Sequence, residues 1–191
     1  MKIGKDIYEI IFFARAGQGA KSAAEVLAQA ALSEGKYIQA FPSYGPSRSG
    51  APTESYVRIA YQPIRLHEPI IDPDTVVVLD DTLLKNKNII QNLDEEEDLI
   101  VNTRQDKDFV QRMLPDFKGN IKIINANEIA KDVLGQIKPN GIMLGQLIKV
   151  TEVVKLESLL NQFKKIFEAK IGKTMTEKNL IAIQKGYDYL S

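Results

Sequence analysis

The chain has 191 residues and a mass of 21.4 kDa, with 44% apolar and 26% charged residues, which suits one globular domain with a sizeable core. Its 25 basic and 25 acidic residues balance, so a strongly basic nucleic-acid binder is excluded and we expect no nucleic-acid partner. There is no cysteine and one histidine, which excludes disulfides, a thiol nucleophile and an iron–sulfur cluster held by this chain. We expect neither a metal site nor a catalytic residue here.

The longest apolar runs, such as Ile10–Ala14 and Val76–Leu79, fall far short of the roughly 20 residues that a membrane-spanning helix needs. The N-terminal residues Met1–Glu9 lack the apolar stretch and cleavage site of a signal peptide. These features predict a cytoplasmic protein without a membrane partner.

Strand patterns come first in the chain and then alternate with helix patterns. The continuous apolar run Ile7–Ala14 is typical of a strand buried on both faces, and a helical spacing of apolar residues follows it until Gly35. Further strands are predicted at Tyr37–Phe41, Glu54–Ile59, Thr75–Asp80, Leu99–Asn102 and Ile121–Ile124. Because apolar and polar residues alternate in Glu54–Ile59, we interpret it as an antiparallel edge strand.

Helices are predicted at Thr82–Leu93, Lys107–Met113, Glu128–Leu134 behind an Asn127 cap, Ile142–Val150, Leu156–Phe167, and Glu177–Leu190 behind a Thr176 cap. The alternation predicts an α/β fold. We expect a single Rossmann-like domain with a mostly parallel sheet flanked by helices and a helical C-terminal part.

A glycine-rich turn, Arg15–Ser22, leads from the first strand into the first helix. Such a turn points backbone N–H groups and the helix dipole at one spot, which favours an anion such as a phosphate. The turn matches neither a Walker loop nor a complete dinucleotide fingerprint, and Lys36–Gly45 contains no acid to hold a ribose. A turn that merely connects strand and helix remains the alternative.

A second turn, Phe41–Pro52, follows the second strand and places Arg48 between Ser47 and Ser49, next to Gly50. Arginine is suited to bidentate phosphate contact. In a parallel sheet this turn would emerge near the first glycine turn. A proline- and glycine-rich surface turn is the alternative, and we interpret His67 as an ordinary loop residue.

Several blocks together resemble the gamma subunits of the 2-oxoacid:ferredoxin oxidoreductases, most of all the pyruvate:ferredoxin oxidoreductase (pyruvate synthase) branch. They are ARAGQGAKSAAEVL at Ala14–Leu27, QAFPSYGPSRSGAP at Gln39–Pro52, ESYVRI at Glu54–Ile59, DTVVVLD at Asp74–Asp80 and NGIMLGQLIKVT at Asn140–Thr151. The resemblance implies that residues 1–191 form a single pyruvate/ketoisovalerate oxidoreductase gamma-type domain.

The whole enzyme of this family reversibly converts pyruvate and coenzyme A to acetyl-CoA and CO2 and reduces ferredoxin, the external electron acceptor. The resemblance implies a hetero-oligomer in which thiamine diphosphate, magnesium and 4Fe–4S clusters lie on partner subunits, namely alpha, beta and a ferredoxin-like delta subunit. It also implies that this chain contributes to coenzyme A binding without being catalytic alone. The implied coenzyme A residues are Gly17, Gln18, Gly19, Ala20, Lys21, Ser47, Arg48, Ser49 and Gly50.

Three alternatives stay open at this point. In the first, the oxoacid of the complex is 2-oxoglutarate, a branched-chain 2-oxoacid or an arylpyruvate; this chain does not decide it, because the oxoacid pocket would lie mainly on other chains. The chain is otherwise a purely structural assembly subunit with a vestigial loop, or a stand-alone nucleotide-binding module.

Replacement of Arg48 by alanine is expected to weaken coenzyme A binding by about tenfold to a hundredfold, because one charge-assisted contact contributes roughly 1.5–3 kcal/mol. Arg48→Lys should recover part of the affinity, and added salt should narrow the gap between wild type and Arg48→Ala. Coenzyme A titrations of the assembled complex measure both effects. If Arg48→Ala instead dissociates the complex on size exclusion, the residue serves subunit assembly.

Overall fold

A computed structural model of the protein describes residues 6–43 and 50–190. Its strands are β1 (Ile7–Arg15), β2 (Tyr37–Ser43), β3 (Pro52–Ala60), β4 (Thr75–Val78), β5 (Asp98–Asn102) and β6 (Asn120–Ile124). Its α-helices are α1 (Ala20–Ser33), α2 (Lys107–Met113), α3 (Ala126–Leu134), α4 (Asn140–Thr151), α5 (Leu156–Ile171) and α6 (Lys173–Tyr187). None of the helices in these described ranges is both long and apolar enough to cross a membrane.

The six strands form one sheet in the order β2-β3-β1-β4-β5-β6. Strands β1, β4, β5 and β6 pair in parallel, whereas β3 pairs antiparallel with both β1 and β2. Five strands therefore run in one direction and β3 alone runs in the other. The predicted α/β fold with a mostly parallel sheet and a helical C-terminal part is confirmed.

The predicted edge position of β3 is wrong, because β3 lies between β2 and β1. The polar residue that gave the strand its alternation, Arg58, is only 1% exposed. Its guanidinium donates from Nε to Glu9 Oε1 at 2.7 Å and from Nη1 to Gln39 Oε1 at 3.2 Å. A charged side chain can be buried when it is paired and hydrogen-bonded in this way. The alternation of apolar and polar residues in β3 therefore does not mark a solvent-exposed face, because both faces of the strand are buried.

Alternate residues of the strands point to opposite faces of the sheet, where they form two apolar layers. Phe12, Val57 and Val77 point to one layer with α1 and the C-terminal helices, and Phe13 and Val78 point to the other with the chain between β4 and β6. The second layer is closed by α2 and by two 3₁₀ turns, Asp81–Lys85 and Lys87–Ile90.

The prediction of a continuous helix at Thr82–Leu93 is therefore wrong. Asn86 has an extended backbone, with φ −86° and ψ 105°, and separates the two 3₁₀ turns. Its side chain accepts a hydrogen bond from the N–H of Asn88 and so begins the second turn. A local side-chain bond of this kind competes with a regular helix.

Two predicted caps are also wrong. Asn125, and not Asn127, caps α3 by accepting from the N–H of Glu128. Thr176 lies inside α6, where its hydroxyl donates to the carbonyl oxygen of Gly172 at 2.9 Å. The Asn127 carboxamide instead accepts from Asn102, whose own side chain also binds the start of α3. Thr176 therefore bonds to the preceding turn and Asn127 to a residue of β5, so neither side chain caps the start of its helix.

Helices α4 and α6 approach each other so closely that only glycine fits at the crossing. A Cβ atom on Gly145 would lie 2.0 Å from the carbonyl oxygen of Ile183, and one on Gly186 would lie 2.1 Å from that of Ile142. Both distances are far shorter than any van der Waals contact, so the two helices would have to separate.

We expect Gly186→Ala to lower the free energy of unfolding by roughly 2–3 kcal/mol, because the added methyl group overpacks this crossing. Urea denaturation at neutral pH measures the effect. Gly135→Ala is the control: Gly135 ends α3, a Cβ there meets nothing within 4 Å, and only its positive φ of 71° resists alanine. Equal losses for the two variants would contradict the close-contact interpretation.

Candidate functional site

The candidate site lies at the carboxyl edge of the sheet, where the topology changes direction. After β1 the chain crosses through α1 to β2 on one side, and after β4 it proceeds to β5 on the other side. The carboxyl ends of the adjacent strands β1 and β4 therefore form a switch point. Open α/β sheets bind ligands in the crevice outside such a point.

The first glycine turn, Gly17–Gly19, lies at this switch point. Gly17 has φ 99° and Gly19 has φ 87°, so both adopt the left-handed conformation that favours glycine. A Cβ atom on Gly19 would also lie 2.6 Å from the side-chain amide nitrogen of Asn140. The glycine therefore allows the start of α1 to lie against the start of α4.

The described end of the second turn, Gly50 and Ala51, lies beside the first turn. The N–H of Ala16 donates to the carbonyl oxygen of Ala51 at 2.9 Å, and Arg15 Nη1 donates to the carbonyl oxygen of Gly50 at 3.1 Å. Gly50 has φ 80°. The other predicted residues of that turn, Ser47, Arg48 and Ser49, lie outside the described residues.

A polar network holds the two turns to the end of β4. The guanidinium of Arg15 donates to Thr82 Oγ1 from Nε at 3.1 Å and from Nη2 at 2.7 Å, and its Nε lies 3.5 Å from Asp80 Oδ2. Gln18 accepts from the N–H of Arg15 at 2.8 Å and donates to Asp80 Oδ2 at 2.8 Å. The Gln18 carboxamide is thus engaged within the protein and keeps the glycine turn in shape.

Asp80 is the acceptor at the centre of this network. Burial by itself would raise the pKa of Asp80, but hydrogen bonds from Thr82 and Gln18, together with the nearby Arg15 charge, outweigh burial and lower that pKa. The carboxylate is therefore ionised at neutral pH, and its charge compensates that of Arg15.

Three helices begin around one cavity of about 220 Å³ beside the glycine turn. We call it the loop cavity; its lining is Gly17, Gln18, Gly19, Ser22, Gln136, Lys138, Asn140, Phe163, Phe167, Ile171, Met175 and Asn179. Gly19 precedes α1, Asn140 begins α4 and Met175 lies in the first turn of α6. No carboxylate stands among these lining residues, and Lys138 supplies their one charged group.

The first turns of these three helices differ from those of α2 and α3. Within the described residues, α1, α4 and α6 have neither a side-chain cap nor an acidic residue in the first turn. Helix α2 is capped by Asp106 and α3 by Asn125, and each carries an acid in its first turn. The partial positive charges of α1, α4 and α6 are therefore not offset by a nearby carboxylate in their own first turns.

The remaining predicted residues of the first turn, Ala20 and Lys21, lie in different surroundings. Ala20 is buried, whereas Lys21 is exposed. Lys21 lines a second groove, of about 250 Å³, between α1 and strands β2 and β3. The glycines and Lys21 thus lie on opposite sides of the start of α1. His67 is exposed in a loop, and the described part of the chain holds no group of three or more His, Asp or Glu residues suited to a metal ion.

Sequence reasoning missed Arg15, Asp80 and Thr82 as parts of the site. The sequence does contain a signal for Asp80, because this residue ends the predicted strand Thr75–Asp80. Polar residues at the carboxyl ends of parallel strands meet at one edge of the sheet. Lys138 and the aromatic pair on α5 gave no such signal, since their place depends on how the C-terminal helices pack.

The fold is that of a Rossmann-like α/β protein, and comparison with known proteins agrees with it. The profile of the family described as pyruvate ferredoxin/flavodoxin oxidoreductase matches residues 9–189. The pyruvate synthase subunit PorC of Thermotoga maritima is 42% identical over 188 residues, covering 98% of this chain and 97% of that protein. The pyruvate/ketoisovalerate oxidoreductases common subunit gamma of Pyrococcus furiosus is 41% identical over 180 residues, covering 94% of this chain and 95% of that protein.

A crystal structure of the Thermotoga maritima pyruvate oxidoreductase subunit PORC has a TM-score of 0.87 and 41% identity, and the match covers 96% of this chain and 97% of that one. The chain therefore belongs to the pyruvate ferredoxin/flavodoxin oxidoreductase family, in which it corresponds to the gamma subunits along nearly its whole length. It is a subunit of an oxidoreductase, as the resemblance implied.

We expect Asp80→Asn to lower the free energy of unfolding by about 1 kcal/mol at neutral pH, because it removes the charge that Arg15, Thr82 and Gln18 converge on. The pKa of Asp80 is lower in the folded protein than in the unfolded chain. The stabilisation is therefore complete above the unfolded-state pKa, about 4, and it is lost as the pH falls through the folded-state pKa. Urea denaturation of both proteins at neutral pH and near pH 2 measures it. The two stabilities should converge at the acidic end.

Asp116→Asn is the control, since Asp116 is an exposed carboxylate in another turn. It should change stability little at either pH. A difference between wild type and Asp80→Asn that persists unchanged at low pH would contradict the role of the charge.

Proposed function

We propose that this chain is the gamma subunit of a heteromeric pyruvate:ferredoxin oxidoreductase and that it contributes to binding coenzyme A. The reaction is the reversible oxidative decarboxylation of pyruvate to acetyl-CoA and CO2 with reduction of ferredoxin. The names of the relatives support the subunit and the oxoacid. A single observation carries the coenzyme A role. The first turns of α1, α4 and α6 meet at the loop cavity beside the glycine turn, and none of them has a side-chain cap or an acidic residue.

The chemistry of the ligand explains why this site suits it. Coenzyme A carries a diphosphate and a further phosphate on its ribose, and phosphates bind to backbone N–H groups at helix starts. Gly17 and Gly19 lack side chains that would keep a phosphate away from the backbone. Lys21 and Lys138 flank the turn and add positive charge from its two sides.

The thiamine diphosphate, magnesium and 4Fe–4S clusters of the reaction belong to the alpha, beta and ferredoxin-like delta subunits in this proposal. Iron–sulfur clusters are held by cysteine thiolates, and the sequence has no cysteine. The contribution of this chain is to bind and orient the acyl acceptor, which accelerates a reaction by proximity rather than by proton or electron transfer.

A second candidate concerns the oxoacid. The gamma subunits of Pyrococcus furiosus and Thermococcus kodakarensis are named as common to pyruvate and ketoisovalerate oxidoreductases. Those names favour a chain that serves either enzyme. Purifying the complexes that contain this chain and assaying each with pyruvate and with 2-oxoisovalerate tests it: one complex active only on pyruvate supports the first candidate, and two complexes with different substrates support the second.

We expect Lys21→Ala to raise the apparent KM for coenzyme A about threefold to tenfold in the assembled complex, because an exposed lysine in the first turn of α1 adds to the positive end of that helix. The rate of pyruvate decarboxylation, measured by isotope exchange between CO2 and pyruvate, should change little. Added salt should reduce the difference between the two proteins.

Lys107→Ala is the matched control, because Lys107 is an exposed lysine in the first turn of α2, which Asp106 caps. It should leave the KM for coenzyme A unchanged. If Lys21→Ala also leaves the KM for coenzyme A unchanged, Lys21 is an ordinary solvent-exposed lysine that does not contact the ligand. Dissociation of the complex on size exclusion, with both half-reactions depressed, would favour the assembly role.

A further inference from the structure

The loop cavity has a second wall that the phosphate interpretation does not explain. Opposite the glycine turn lie the end of α5 and the start of α6, which contribute Phe163, Phe167, Ile171 and Met175. The rings of Phe163 and Phe167 stack with centroids 4.8 Å apart and planes at 30°. A phosphate gains nothing from aromatic and thioether surface, so this wall indicates that another part of a ligand enters the cavity.

The polar groups of the cavity are mainly carboxamides. Gln136, Asn140 and Asn179 line it together with the single ammonium group of Lys138. The Asn179 amide nitrogen already donates to the carbonyl oxygen of Met175 at 2.8 Å, which leaves its Oδ1 as an acceptor. Carboxamides beside an apolar wall match a planar heterocycle that has both donors and acceptors at its edge, as adenine has.

The size of the cavity restricts the occupant further. A volume of about 220 Å³ lies below the roughly 300–1,000 Å³ of sites that enclose a drug-sized ligand, so the cavity suits one ring system and not the whole of coenzyme A. Gly17, Gln18 and Gly19 line the same cavity, so a ring seated there stays next to the proposed phosphate position.

We propose that the loop cavity is the nucleobase subsite of this chain and holds the adenine ring of its ligand, with Asn179 accepting a hydrogen bond from the base. This proposal rests on the proposed function, since it assigns the nucleotide end of coenzyme A to the cavity and leaves the thiol-bearing arm to extend toward partner subunits. The ammonium group of Lys170, 5.2 Å from the Phe167 ring centroid, lies close to the aromatic wall of the subsite.

The test uses the assembled complex and three ligands: coenzyme A, ADP, and 4′-phosphopantetheine, which keeps a phosphate and the arm but has no adenosine. In wild type, ADP should compete with coenzyme A. Asn179→Leu removes the acceptor while keeping the size of the side chain, and it should weaken coenzyme A and ADP by about tenfold each. The affinity for 4′-phosphopantetheine should stay unchanged.

Two further variants complete the design. Met175→Trp fills the cavity and should abolish competition by ADP even if the hydrogen bond contributes little. Asn161→Leu makes the same chemical change on the exposed face of α5, outside the cavity lining, and should alter none of the three affinities.

Unchanged ADP and coenzyme A affinities in both Asn179→Leu and Met175→Trp would overturn the subsite. An equal loss for all three ligands would overturn it as well, because the cavity would then serve the phosphate or the general shape of the domain. If these variants have no effect while Lys21→Ala still raises the KM for coenzyme A, the subsite fails and the proposed function stands. If no variant on this chain changes any coenzyme A affinity, both fail.

Discussion

The guanidinium of Arg15 is the group on which the geometry of the switch point depends. It binds Thr82 after β4 and the carbonyl oxygen of Gly50 before β3, while its own backbone begins the glycine turn after β1. Three segments that are far apart in sequence are thus tied to one side chain. The Asp80 carboxylate neutralises it, so the network stabilises the edge without leaving an unpaired charge.

The helical C-terminal part is connected to the same edge by close contacts that require glycine. Gly19 lies against Asn140 at the start of α4, and Gly145 and Gly186 bring α4 and α6 into contact. Because the loop cavity is formed between the glycine turn, the end of α5 and the start of α6, its shape depends on these approaches. A Cβ at any of these three positions would shift a wall of the cavity, although only Gly19 lies in its lining.

The parts of the fold that follow from local patterns could be predicted from the sequence, and the parts that depend on tertiary partners could not. Buried runs such as Ile7–Ala14 and the glycine-rich turn after it are local signals, and they indicated the sheet and the region of the site. The interior position of β3 depends on the pairing of Arg58 with Glu9, residues 49 positions apart. The division of Lys21 and the glycines between two cavities depends on which side of α1 each element packs against, and no spacing encodes that.

Local electrostatics at the site differ from those of the chain as a whole. The formal charge of zero gives no long-range field that would attract an anionic ligand. Around the loop cavity, however, three helix starts carry no acid in the first turn and one lysine stands in the lining, whereas the starts of α2, α3 and α5 carry Asp108, Glu128 and Glu157. Fixed partial charges of this kind act only over the length of a helix turn. Such partial charges attract an anion once it is in contact with the turn and not from a distance, so the approach of the proposed ligand has to be guided by its other contacts or by the partner subunits.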